Sequence, residues 1–351
     1  MLDFGIEIEC LVPSTVSREV VAAAITAAGV PCYFAGYTHR VDRASWKIVT
    51  DGSVVGTGTP LEVVSPPFMT EDGFEQVKKV SEVLTALDAT VNRSCGLHVH
   101  IGARNLSVPA LKKLAALYIE HEGLIDQLLP NSRRGSDNNY CKSVATRANI
   151  ARLSSAANIR DIAEAVSGGD RFVKLNYQAF WRHGTVEFRH HSGTVDAAKI
   201  IKWVVFCQKL VETAIREANE PIVSANSTHS YDFWRRGRRL RQLGQLVSRP
   251  EGVTNEEYRV ALGITSRPGI RNELARRGAT FHIRGRRGGF EVYHLGPVPG
   301  ATAASTTTVT SLEGLYDKLG LGDEDKAFWA ARAAQLIAAN QGGGVSAVHN
   351  P

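Results

Sequence analysis

Polar and apolar positions along this chain follow two periods, one of two residues and one of between three and four. Between Phe4 and Cys10 the period is two: Ile6 and Ile8 alternate with Glu7 and Glu9. Successive side chains of an extended segment point to opposite faces, so this stretch predicts a strand with an apolar face and an acidic one. The same alternation returns in Gly96 to Ile101, where His98 and His100 lie opposite Leu97, Val99 and Ile101, and in Thr185 to Arg189, where Glu187 and Arg189 share a face. Trp46 to Val49 and Leu61 to Val64 are further strand candidates. The longer period appears from Ser17 to Ala28, where Val20, Val21, Ala24 and Ile25 fall on one helical face, and predicts further helices over Gly73 to Leu87, Val108 to Leu129 and Ala197 to Ala218. Strands and helices interleave without an internal repeat, which places the first part of the chain among mixed α and β folds. No stretch offers the roughly 20 consecutive apolar residues of a membrane span.

A change in texture comes after Asn219-Glu220-Pro221, where the chain turns polar. The expected organisation is a catalytic domain over 1–220, a linker over 221–232, an arginine-rich domain over 233–296, a second linker over 297–311, a helical segment over 312–342 and a flexible tail over 343–351. In the arginine-rich domain a short helix is predicted from Val253, and a second from Gly269 to Arg276. A hairpin of Phe281 to Arg284 and Phe290 to Leu295 comes next, an order resembling a winged helix.

Composition narrows the class. With 43% hydrophobic and 22% charged residues over 351 positions, the chain has the make-up of an ordinary globular protein. Cys10, Cys32, Cys95, Cys141 and Cys207 are scattered and form no CxxC pair, and Met1 leads into Asp3-Phe4-Gly5-Ile6-Glu7 without a basic and apolar leader. The expectation is a reducing, cytoplasmic setting. The net charge of +6 is modest, but fourteen arginines crowd between Arg235 and Arg287. That segment suits contact with nucleic-acid phosphates, pairing with acids elsewhere in the chain, or recruitment of a protein or peptide substrate.

The alternating strands carry the chemistry. Carboxylates held a few ångströms apart repel by several kcal/mol at an effective dielectric near 20, and a divalent cation between them removes the repulsion. Hard cations such as Mg²⁺ or Mn²⁺ favour carboxylate oxygen with an occasional imidazole, which suits Glu7, Glu9, Glu187 and one or both of His98 and His100. Arg189 adds a fork of donors matched to phosphate oxygens. His190 and His191 read as local hydrogen-bonding residues, Cys95 as a buried neighbour of the site, and Trp46 and Trp181 as packing residues.

Six motifs in order, Phe4-Gly5-Ile6-Glu7-Ile8-Glu9, Trp46 to Ser53 with Asp51, Leu61-Glu62-Val63-Val64-Ser65-Pro66, Cys95 to Ile101, Ser132-Arg133-Arg134 with Tyr140-Cys141, and Thr185 to Arg189, resemble those of the amidoligases. This family is related to glutamine synthetase and glutamate-cysteine ligase among carboxylate-amine ligases, and the resemblance covers about residues 2–214. It implies an α+β fold whose antiparallel sheet curves as a half-barrel with flanking helices. The sheet would hold ATP, two or three Mg²⁺ or Mn²⁺ ions and the acid substrate. Glu7, Glu9, Glu62, His98 and Glu187 would ligate metal, with Asp51 and His100 as further candidates. Arg189 would bind phosphate, as would Arg133 or Arg134, and Glu9, Glu187 and Arg189 would carry catalysis. The implied reaction joins a carboxylic acid to an amine through an acyl-phosphate. A zinc hydrolase built on His98 and His100 is the alternative enzyme, and a nucleic-acid-binding protein using the basic domain is the alternative without catalysis.

Overall fold

The computed structural model describes residues 2–38, 40–69, 72–219, 253–254, 257, 281–287, 290–295 and 309–341. They fall into two compact units, Met1–Ile215 with Val309–Pro351, and Arg216–Thr308.

The first unit holds the strands β1 (Phe4–Val12), β2 (Cys32–Gly36), β3 (Trp46–Val49), β4 (Thr59–Val64), β5 (Gly96–Gly102), β6 (Leu175–Asn176) and β7 (Thr185–Ser192). They make one sheet in the order β2-β3-β4-β1-β5-β7-β6, antiparallel throughout except for the parallel β2–β3 pair. Its helices are α1 (Arg18–Ala27), α2 (Asp72–Ala86), α3 (Val108–Asp126), α4 (Ile150–Ser155), α5 (Ile159–Ser167), α6 (Ala179–His183), α7 (Ala197–Asn219), α8 (Leu312–Leu319) and α9 (Asp323–Gln341). The strand and helix periods thus mark real elements, with ends shifted by a residue or a few. Capping explains the starts: Ser17 accepts the Val20 amide at 3.3 Å ahead of α1, and Ser107 accepts that of Ala110 at 3.3 Å ahead of α3.

One face of the sheet forms the core. Phe4, Ile6, Ile8, Leu97, Val99, Ile101, Val186 and Phe188 are all buried in a single apolar cluster with Val21, Val80, Leu114, Val204 and other helix residues. The opposite face therefore carries the intervening polar side chains, clear of the helix layer.

The strand β7 is irregular where it pairs with β5. Leu97 pairs with His191 and Val99 with Phe188, so Arg189 and His190 together face His98, a bulge that shifts the phase of the strand. Two consecutive histidines consequently reach the helix layer, both buried. The Tyr118 hydroxyl donates to His190 Nδ1 at 2.6 Å, and His190 Nε2–H donates to Asp126 Oδ1 at 2.6 Å. Lys174, fully buried, bonds Asp126 at 2.6 Å and Glu122 at 2.9 Å. The His191 ring lies 5.2 Å from that of Trp203.

The two helices near the C-terminus close the same core. Trp329 of α9, 1% exposed, sets its ring edge-on to Trp203 and Phe206 of α7, with centroids 5.8 and 5.7 Å apart. Lys202 pairs with Glu324 at 2.6 Å and Asp325 at 2.8 Å beside them.

In the second unit β8 (Val253–Thr254), β9 (Phe281–Arg287) and β10 (Phe290–Leu295) form a sheet in the order β8-β10-β9. The expected hairpin is present, its first strand running on to Arg287. Val253 and Thr254, expected to begin a helix, instead pair with β10. The two hydrogen bonds of a capping box join Thr254 to Glu257, with the Thr254 amide donating to Glu257 Oε2 at 2.8 Å and the Glu257 amide to Thr254 Oγ1 at 3.2 Å, which leaves Thr254 itself on the strand side. The predicted helix over 269–276, the linker 221–232, residues 297–308 and the tail 343–351 lie outside the described residues.

Both the helix contact and the buried histidines can be tested through stability. Trp329→Ala should cost about 3–5 kcal/mol in unfolding free energy, as large aromatic deletions from cores do; chemical denaturation of the full chain measures it, and an unchanged midpoint would show that α9 is not part of the core. Burial holds His190 at about 4 and His191 at about 3, below the ordinary value near 6.5. As pH falls below that ordinary value, unfolded chains take up protons that the folded chain refuses. Stability is then full above pH ~6.5 and declines towards pH ~4 for His190 and pH ~3 for His191, by roughly 2 kcal/mol per histidine at pH 5. Urea midpoints at pH 7 and pH 5 in metal-free buffer should differ accordingly.

Candidate active site

Strand register brings the polar side chains together. Directly opposed residues of neighbouring antiparallel strands point to the same face. Glu9 of β1 lies opposite Glu62 of β4, Glu7 opposite His98 of β5, and Glu187 of β7 opposite both His100 of β5 and Asn176 of β6. All of these but the buried Glu9 line the floor of an open cleft of about 1610 Å³, and Arg189 joins them there.

His98 is the hub of the arrangement. Its Nδ1 lies 3.0 Å from Glu7 Oε2 and 3.7 Å from Glu187 Oε1, and its Nε2 lies 3.6 Å from Glu9 Oε1. Two groups of potential ligand atoms result, Glu7 with His98 and Glu187, and Glu9 with Glu62 and His98, each within 4.8 Å mutually. Arg189 Nη1 bonds Glu187 Oε1 at 2.5 Å and lies 3.5 Å from His98. The remaining oxygens are also engaged: Asn176 donates to Glu187 Oε2 at 2.6 Å and the Gly96 amide to Glu9 Oε2 at 2.6 Å.

The electrostatics separate these carboxyls. Burial and the neighbouring charges of Glu7, Glu9 and Asp51 push Glu62 well above the usual carboxylate range. Burial opposes the charge of Glu7 as well, yet His100 and His98 hold it well below that range. Glu9 is raised, chiefly by burial, whereas at Glu187 burial is outweighed by Arg189, His100 and His98 acting together, which lower it. Glu62 therefore faces chiefly the carboxylates Glu7, Glu9 and Asp51, with the Lys47 ammonium as the cation that feels its charge. A divalent cation fits such a donor set, hard oxygens with one imidazole, because it supplies the charge that the protein does not.

The other candidates fall in distinct places. His100 belongs to neither ligand group: its Nδ1 lies 2.9 Å from Thr185 Oγ1 and its Nε2 3.3 Å from Glu7 Oε1, so it orients Glu7. Asp51 lines the cleft with Oδ1 accepting the Ser53 amide and hydroxyl, both at 2.7 Å. Arg133 is 2% exposed, donates to the Cys95 carbonyl and does not line the cleft. Arg134 turns away and donates to the Leu129 carbonyl at 2.9 Å. Neither holds a guanidinium in the cleft for nucleotide phosphate. Cys95 is buried, its thiol pushed up by that burial. Trp46 is buried too, but Trp181, expected to be a packing residue, is 45% exposed on the cleft wall. Lys47, Asn176, Thr185 and Arg104 also line the cleft, although the sequence alone did not single them out. For Lys47 the signal is present, since alternation through Trp46-Lys47-Ile48-Val49 turns it away from the buried face.

Known proteins share parts of this chain. The family model described as "Putative amidoligase enzyme" matches residues 1–211. No match is found among curated proteins. Among solved structures, a bifunctional glutathione synthetase from Pasteurella multocida is similar at 12% identity and a TM-score of 0.37, over 98% of this chain and 50% of that one. A Plasmodium falciparum glutamine synthetase is similar at 10% identity and a TM-score of 0.39, over 99% of this chain and 74% of that one. The chain thus spans half the length of the glutathione synthetase.

Gly96 provides a test of the cluster that leaves its ligands in place. A Cβ there would stand 2.8 Å from His98 Nε2 and 3.3 Å from Glu9 Oε2, too close for either to keep its position. Gly96→Ala should weaken Mg²⁺ or Mn²⁺ binding by roughly 10–100-fold, the range for residues that orient metal ligands. Calorimetric titration reads this, and wild-type affinity in the variant would show that His98 and Glu9 do not hold the ion.

Proposed function

This chain belongs to the amidoligase family, and on that footing we propose that it joins a carboxylic acid to an amine using ATP, through an acyl-phosphate. The observation that carries the reading is the pair of carboxylate-imidazole groups sharing His98, with Arg189 beside them, at the floor of one cleft that all of them but Glu9 line. Mg²⁺ or Mn²⁺ would be held by Glu7, His98 and Glu187 and by Glu9 and Glu62. When bound, such ions neutralise charge on the phosphates of ATP. A neutral imidazole has one acceptor nitrogen, so His98 completes one group at a time and carries its proton towards the other.

In the proposed reaction an oxygen of the acid attacks the γ-phosphorus of ATP, and ADP leaves. The amine nitrogen then attacks the acyl carbon, a proton leaves the nitrogen, and phosphate departs with the former carboxyl oxygen. Arg189 directs a permanently charged fork at the transferring group, while Glu187 and the Tyr140 carbonyl fix its orientation. His100, bonded to Thr185 and within 3.3 Å of Glu7, and Asn176, bonded to Glu187, keep the carboxylates from turning away. The zinc-hydrolase alternative needs His98 and His100 on one ion, and His100 stands in neither ligand group.

The purified chain should release ADP from ATP with Mg²⁺ or Mn²⁺ only when both an acid and an amine are present, giving a product lighter by one water than their sum. Glu9→Ala and Glu187→Ala should each lower that turnover at least ~100-fold, the scale of losing a transition-state electrostatic contact, with circular dichroism unchanged. Arg189→Ala should raise the KM for ATP. Wild-type turnover in either carboxylate variant would sink the assignment.

A further inference from the structure

Lys47 is a cleft residue that the proposed reaction leaves without a task. It lies on β3, opposite Val64 of β4, which lies opposite Glu7 of β1, so one row across the floor reads Lys47, Val64, Glu7, His98. Its side chain is 5% exposed, and its ammonium donates to the Arg40 carbonyl at 2.5 Å. An ammonium has three hydrogens to donate. Asp42, on the loop above, engages its own carboxyl elsewhere: Oδ1 accepts the amides of Ala44 and Ser45 at 2.8 and 2.9 Å, and Oδ2 accepts the Tyr33 hydroxyl at 3.0 Å. The carboxylates whose charge favours the ammonium are Glu7 and Glu62, followed by Asp42. Glu7 and Glu62 belong to the metal groups, and an ion there would take up their charge. A buried cation would then remain with a neutral carbonyl as its partner, in a cleft whose nearby wall carries Arg40 and Arg43.

We propose that Lys47 is a second anion site of this cleft and selects an acid substrate that is a dianion. One carboxyl of that acid meets the Glu7–His98 cluster and is activated; the other acidic group takes the free donors of Lys47. The inference rests on the ligase reading for which carboxyl reacts. Spacing sets the substrate length: two strand intervals of ~4.8 Å separate the Lys47 and Glu7 backbones. A contact of ~2–3 Å at each end then leaves room for a spacer of roughly two or three methylenes. Val64, which lines the cleft between the two residues, offers that spacer an apolar floor.

The experiment compares glutarate with glutaramate, which has the same skeleton but a neutral amide at one end. Both are titrated into the full chain with Mg²⁺, with and without a non-hydrolysable ATP analogue, and binding is read by calorimetry. Wild type should bind glutarate at least tenfold more tightly than glutaramate, Lys47→Met and Lys47→Gln should bind the two equally, and Lys47→Arg should recover part of the preference. Nucleotide affinity should be the same in all four proteins. A lysine that only supports the fold would lower the melting temperature on substitution and leave the preference intact, so a preference that survives in Lys47→Met overturns the proposal. Equal binding of the two acids by wild type overturns it as well. Failure of the nucleotide analogue to bind wild type would remove the ligase reading instead, while the titrations without nucleotide would still decide the dianion preference.

Discussion

Crowding of negative charge on one face of a sheet is the constraint around which this protein is arranged. Glu7 and Glu9 of β1, Glu62 of β4 and Glu187 of β7 share that face within a span of four adjacent strands. At ~4 Å a pair of such charges repels by about 4 kcal/mol at an effective dielectric of 20. Chain-borne cations reach only part of the cluster. Arg189 compensates Glu187, and His98 and His100 lean on Glu7, which leaves Glu62 and Glu9 raised. A surface that concentrates charge in this way and leaves the cation to be supplied is suited to ligands that bring cations and phosphates together.

Such a face can exist because the other face holds it. Each aliphatic or aromatic side chain buried beneath the sheet contributes about 1.5–3 kcal/mol, and nine of them on β1, β5 and β7 alone lie in the apolar cluster. Their sum exceeds the repulsion above them, and backbone ladders fix every carboxylate to its neighbour's register. A site on strands is also more rigid than one on loops, which matters where ligand atoms must meet within a few ångströms.

The alternation of Glu7 with Ile8, of His98 with Val99 and of Glu187 with Phe188 makes the central strands and their polar face legible in the sequence, since a period of two encodes burial on one side directly. The resemblance to amidoligases names the same residues. Other features have no local signature. β2 is an edge strand of mixed exposure, so no alternation marks it. Arg133 and Arg134 look alike in sequence, and only tertiary packing turns one under Gly96 and the other back to Leu129. The burial of Trp329 against α7 depends on a contact more than a hundred residues away, which no window along the chain reveals. Thr254 shows the reverse case: its capping-box partner Glu257, three residues on, is readable, yet the residue itself belongs to a strand.

The bulge in β7 ties these parts together. Without it, regular alternation would send Glu187, Arg189 and His191 to the cleft, and His190 alone to the core. With the extra residue opposite His98, Arg189 stays in the cleft while both histidines turn inward to Tyr118, Asp126 and Trp203. The cleft is thereby spared a further imidazole beside Arg189, where it would compete for the same carboxylates. Arg189 is also anchored from below: its amide donates to the Lys174 carbonyl at 2.9 Å, and the Lys174 ammonium is held by Glu122 and Asp126. The guanidinium that faces the cleft is therefore joined, through one backbone bond and the next residue of the strand, to the buried polar network beneath the sheet. Lys174 and Asp126 do not line the cleft, and their tie to Arg189 runs through that backbone.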